Sequence, residues 1–155
     1  MRDAGVNVCS GGILGLGETD GDRVGLLHTV STLPRHPESF PVNALVPIKG
    51  TPLGDQEPVD FTNVLRTVAT ARVLMPETIV RIAAGRKTMS EEKQALCFMA
   101  GANAIFTGEK MLTTECNGYE EDKAMFQRWG LQPMKSFDKS PRPAGDIASE
   151  SAPAS

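Results

Sequence analysis

Residues 60–83 read DFTNVLRTVATARVLMPETIVRIA, and two periodicities meet inside this one stretch. Phe61, Val64, Leu65, Val68, Ala71 and Met75 recur every three to four residues, which predicts a helix with one apolar stripe behind Asp60 as its N-cap. Pro76 helps to end that helix, because it has no N–H to continue the ladder. Ile79-Val80-Arg81-Ile82-Ala83 then follows as a short run rich in branched apolar residues, which reads as a strand. A helix delivered straight into such a strand is the repeating unit of a parallel α/β sheet.

Three further runs share that strand character: Val6-Asn7-Val8-Cys9, Val42-Asn43-Ala44-Leu45-Val46 and Ala104-Ile105-Phe106. Helical segments are expected to begin near Asp22, Asp60, Ser90 and Glu120, with Ser90-Glu91-Glu92 opening the third and Gly130 closing the last. The order is therefore β-α four times, which predicts a parallel sheet with flanking helices and functional groups at the carboxyl ends of its strands. Four such units are half of an eight-unit barrel, and four strands alone leave a concave sheet face unmatched. Either a partner covers that face or the chain is incomplete. Beyond Phe137 almost nothing can be buried, so residues 138–155 are expected to be a disordered tail behind one domain at 1–137.

Of the 155 residues, 40% are hydrophobic and 23% charged, the balance of an ordinary soluble globular sequence. A net charge of -3 offers no basic field, so neither nucleic acid nor a membrane surface is an expected partner. Cys9, Cys97 and Cys116 are odd in number and far apart, which points to a reducing compartment. With His28 and His36 the only histidines, no local zinc motif forms, and any metal needs ligands from elsewhere. The glycines of the run Gly11 to Glu18 are spaced unlike a dinucleotide fingerprint, and Lys49-Gly50-Thr51-Pro52 is no phosphate loop.

Cys9, Asn43 and Arg81 are polar residues inside otherwise apolar strands. A buried guanidinium left without its partner costs about 3–5 kcal/mol, so Arg81 needs an anion. That anion is either a carboxylate such as Glu18 or an anionic ligand or cluster. Asn43 either satisfies backbone groups at the strand end or offers donors and an acceptor to a urea or carboxylate ligand. Cys9 is either a small buried hydrophobe or a ligand. Cys97, in ALCFMA, reads as the packed face of a helix, and Cys116 as an exposed loop thiol.

Together, NVCSGGILGLGET from Asn7, NALVPIKGTPL from Asn43, VRIAAGR from Val80 and CFMAGANAIF from Cys97 resemble biotin synthase, over about residues 2–137. TECNGYEEDK from Thr114 and WGLQPM from Trp129 resemble its eukaryotic branch, whose members are usually mitochondrial. The resemblance implies a radical S-adenosylmethionine enzyme, homodimeric at full length, that inserts sulfur into dethiobiotin in the last step of biotin biosynthesis. It implies that these residues are strands five to eight, the C-terminal half of a TIM-type (βα)8 barrel. It also implies two clusters: a 4Fe–4S cluster that cleaves S-adenosylmethionine, and a 2Fe–2S cluster, held by three cysteines and one arginine, that supplies sulfur.

By motif position, Cys9 resembles the third of those cysteines and Arg81 the arginine. Asn43 matches a position that contacts dethiobiotin, and Ile13 and Val46 match positions lining the S-adenosylmethionine pocket. The run Gly11 to Glu18 fits the wider radical-enzyme pattern Gly-x-Ile-x-Gly-x-x-Glu. The Cys-x3-Cys-x2-Cys loop for the 4Fe–4S cluster and the other two 2Fe–2S cysteines are missing from these 155 residues. The chain is therefore expected to be a fragment, inactive by itself. The competing expectation is a non-catalytic half-barrel whose uncovered face pairs with a partner.

Overall fold

A computed structural model describes residues 4–108, 110–111 and 114–134; the expected tail at 138–155 lies outside the described residues. In chain order the elements are β1 (Gly12–Leu14), α1 (Asp20–Ser31), β2 (Ser39–Ala44), α2 (Phe61–Leu74), β3 (Ile79–Ile82), α3 (Glu91–Met99), β4 (Ala104–Ile105), β5 (Lys110–Met111), β6 (Thr114–Glu115) and α4 (Tyr119–Arg128). Strands β1 to β4 form one parallel sheet in sequential order. Sequential parallel strands joined by helices are the arrangement of half a (βα)8 barrel. The short antiparallel pair β5–β6, inserted between β4 and α4, was not foreseen from the sequence.

One face of this sheet is the core. Leu14, Phe40, Val42, Ala44, Val80 and Ile82 alternate along their strands and meet Val64, Val68, Ala71 and Met75 of the α2 side. Leu27 and Val30 of α1 and Cys97 of α3 complete the layer. Phe40, Val64, Val68 and Met75 are sealed from solvent, and burying each such side chain stabilises by about 1.5–3 kcal/mol. Cys97 belongs to this core, where burial pushes its thiol up to about 11. No helix among the described residues is long and apolar enough to cross a membrane.

The helix ends follow local chemistry. Asp60 accepts a hydrogen bond from Thr62 N–H at 2.6 Å, and Met75 caps the other end of α2 just before Pro76. Thr19 and Asp22 form a reciprocal capping box at the start of α1. After α4, Gly130 takes a left-handed φ of 66°, as expected of a helix stop.

The first strand is not where the sequence pattern placed it. Val6 to Cys9 forms no regular strand; Cys9 makes a single bridge to Ser39, and β1 begins three residues later at Gly12. A Cβ on Gly11 would come within 2.1 Å of Pro41 O, so β1 and β2 approach through a glycine that strand propensity counts against. Strand β2, by contrast, starts earlier than read, at Ser39, and ends at Ala44.

Candidate active-site wall

The second face of the sheet carries the polar residues. Ile13 registers with Asn43, Pro41 with Arg81, Arg81 with Ala104, and Cys9 bridges Ser39, which registers with Ile79. Registered positions on parallel neighbours share a face, so Cys9, Ile13, Ser39, Asn43 and Arg81 all lie opposite the core layer of Phe40, Val42 and Ala44. Cys9 is exposed, Ile13 is 49% exposed, Asn43 and Arg81 are half-buried, and Ser39 is buried. Strands stand about 4.8 Å apart and residues rise about 3.3 Å, so Cys9 and Arg81 face one another across β2 on the order of 12 Å apart at Cα. Val46 is placed differently. It lies beyond the end of β2 and lines a cavity of about 270 Å³ with Leu45, Pro47, Ile48 and Leu53.

Arg81 has no ionic partner among the described residues, and its Nε is buried without a hydrogen-bond acceptor. Glu18, the carboxylate weighed from the sequence, is engaged elsewhere: it pairs with Arg23 Nη1 at 2.8 Å. Asn43 donates from Nδ2 to Gly12 O and accepts from Ala84 N–H at Oδ1, both at 3.1 Å. Its amide thus ties β1 to the chain leaving β3 and keeps one N–H and one lone pair spare. A thiol and an unsatisfied guanidinium on one open face are suited to an anionic, electron-rich group. Among the described residues no three His, Cys, Asp or Glu side chains converge on a metal.

Glu18 shapes the rim above this face. It accepts from Gly15 N–H at 2.9 Å and Leu16 N–H at 2.8 Å, fixing a loop in which Gly15 and Gly17 both take positive φ. Burial opposes its charge, but the Gly15 and Leu16 amides and Arg23 together outweigh burial and hold the carboxyl below its usual range. A lowered folded-state pKa means that this stabilisation is complete above the ordinary carboxylate range and is lost as pH falls through the lowered value. The protection of the Gly15 and Leu16 amides, measured against their intrinsic exchange rates at each pH, is therefore expected to persist through mildly acidic pH and to fall at lower pH. Loss of that protection at or above the ordinary carboxylate range would contradict the clamp.

A second clamp escaped the sequence reading. Arg86 Nη1 lies 2.5 Å from Asp122 Oδ1 and Nη2 2.8 Å from Oδ2; it also reaches Gln94 Oε1 and Phe106 O, both at 2.9 Å. Both members are 3% exposed at the side chain. Gly85, just before Arg86, takes φ of 80° and lets the turn after β3 lie against β2, with Ala44 O only 2.6 Å from where a Cβ would sit. The partners are 36 residues apart, so no local motif announces them.

Known proteins agree with this architecture. Residues 41–132 match the family described as the Biotin and Thiamin Synthesis associated domain. The mitochondrial biotin synthase of Emericella nidulans is 73% identical over 139 residues, which cover 90% of this chain and 35% of that protein. The mitochondrial biotin synthase of Arabidopsis thaliana is 59% identical over 133 residues, covering 86% and 35%. The biotin synthase of Erythrobacter litoralis is 52% identical over 160 residues, covering 99% and 47%. The chain thus spans between about a third and a half of the length of these curated relatives. The crystal structure of methylornithine synthase superposes with a TM-score of 0.64 at 21% identity, covering 86% of this chain and 42% of that one, which supports the fold alone. With the family match running from β2 through α4 and these relatives all biotin synthases, the chain belongs to the biotin and thiamin synthesis associated domain family.

Proposed function

We propose that this chain forms one wall of the active site of a biotin synthase, the enzyme that inserts sulfur into dethiobiotin by radical S-adenosylmethionine chemistry. The observation that carries the reading is the gathering of Cys9, Ile13, Asn43 and Arg81 on the one uncovered sheet face, with Arg81 Nε buried and unpartnered. Cys9 and Arg81 fit as two ligands of a 2Fe–2S cluster, the thiolate by electron donation and the guanidinium by compensating the cluster's charge. When bound there, that cluster supplies the sulfur.

Asn43, already held by Gly12 and Ala84, presents its spare N–H and lone pair to the ureido group of dethiobiotin. Because both backbone bonds fix its rotamer, it binds without losing much side-chain freedom. Ile13 offers an apolar surface to S-adenosylmethionine on the open face, and Val46, in the separate cavity beyond the end of β2, offers a second. The Glu18 clamp keeps the loop after Ile13 in one shape. The 4Fe–4S ligands and the remaining 2Fe–2S cysteines come from outside these residues, and the full-length enzyme is read as a homodimer. Relatives named mitochondrial support a mitochondrial site of action.

The chain alone is expected to form no 5′-deoxyadenosine from S-adenosylmethionine, since Cys9, Cys97 and Cys116 are too dispersed to hold a 4Fe–4S cluster. Chromatographic assay of the reconstituted 155-residue chain checks this, and turnover above the metal-only blank would contradict it. The test of the reading itself is a chimaera in which residues 4–134 replace the matching segment of the Emericella nidulans enzyme. Conversion of dethiobiotin to biotin supports it; an intact chimaera that makes none overturns it. The same open face favours a second reading, a non-catalytic half-barrel that associates with a partner through that face. A monodisperse monomer in light scattering would count against it.

A further inference from the structure

Two of the buried polar atoms left without a partner among the described residues, Ser39 Oγ and Arg81 Nε, belong to residues on the same open sheet face. Ser39 is 8% exposed, bridges Cys9 directly and stands two residues before Pro41, the position opposite Arg81. A buried hydroxyl without a partner costs about 1–3 kcal/mol, so an unsatisfied one beside a ligand thiol calls for an acceptor. Other buried groups nearby do find partners: the hydroxyl of Thr78 donates to Pro37 O at 2.8 Å, and Arg86 bonds Gln94 and Asp122; the third orphan among the described residues, Arg72 Nη2, belongs to α2. Ser39 lies on the side of the sheet opposite the core layer, its hydroxyl is buried, and among the described residues no acceptor reaches it. A serine hydroxyl reorients about a single torsion, so it turns toward an acceptor seated over Cys9 without moving the strand.

We infer that Ser39 donates a hydrogen bond to the electron-rich group held between Cys9 and Arg81, a sulfur of the 2Fe–2S cluster, and thereby helps to set the cluster's potential and its retention. This inference rests on the proposed function. Hydrogen bonds to cluster sulfurs favour the reduced, more negative state, so removing one lowers the reduction potential. Ser39 also lacks any intramolecular partner to lose, so its replacement leaves the fold's own hydrogen bonds intact.

The test uses the chimaera loaded with its 2Fe–2S cluster, with Ser39→Ala and the isosteric pair Ser39→Thr and Ser39→Val. Optical redox titration and the rate of cluster loss to a chelator are the readouts. Ala and Val are expected to lower the potential and speed cluster loss several-fold relative to wild type and Thr, with thermal midpoints of Thr and Val alike. Equal potentials and loss rates for Thr and Val would overturn the inference while leaving the proposed function standing. A wild-type chimaera that takes up no 2Fe–2S cluster would overturn both.

Discussion

Replacing Cys9 by alanine in the chimaera is expected to cut biotin formation by more than about 100-fold. Outer-sphere groups around metal centres are each worth about 10–100-fold, and Cys9 is proposed as a direct ligand, so the loss should exceed that range. The thermal midpoint should barely change, because Cys9 is exposed, makes one backbone bridge and packs against nothing in the core. Cys97→Ala gives the opposite pattern: it removes a fully buried side chain and lowers stability while the open face keeps its groups. Comparing biotin yield and melting of the two variants separates site chemistry from packing. Comparable yields from Cys9→Ala and wild type would remove the thiol from the site.

The second large effect is on stability. Asp122→Asn leaves the Arg86 guanidinium buried with its charge uncompensated, which is expected to cost about 3–5 kcal/mol. Replacing both partners, Arg86→Met with Asp122→Leu, removes the desolvation of two charges along with their attraction and should recover much of that loss. The clamp joins the turn after β3 to α4 and to Phe106 O just beyond β4, so its loss should loosen the last βα unit first. Denaturant unfolding of the single and double variants in the chimaera measures this. A double variant as unstable as the single would mean that the network's hydrogen bonds to Gln94 and Phe106 outweigh the ion pair.

What could be read from the chain differs by the range of the interaction. The α2–β3 passage was legible because its apolar period, the Asp60 cap and Pro76 are all local, and each does what its chemistry requires. Strand β1 was misplaced because its ladder runs through Gly12 beside Gly11, where the decisive term is clearance from Pro41 rather than propensity. Cys9, Asn43 and Arg81 stood out as polar residues in apolar runs, and register alone then placed them on one face. The Arg86–Asp122 clamp and the orphaned Ser39 hydroxyl were not legible, since both depend on contacts, or their absence, between segments far apart in sequence.

If the open sheet face is a cluster wall with Cys9 as a ligand, the thiol is covered whenever the cluster is bound, and alkylation of Cys9 reads this out. The cluster-loaded chimaera is treated with a thiol reagent before and after the iron is chelated, and the modified sites are mapped by mass spectrometry. Cys9 is expected to be protected while the cluster is present and modified once it is stripped, with the core thiol of Cys97, its ionisation pushed up to about 11, unmodified throughout. Equal modification of Cys9 with and without the cluster would contradict the account.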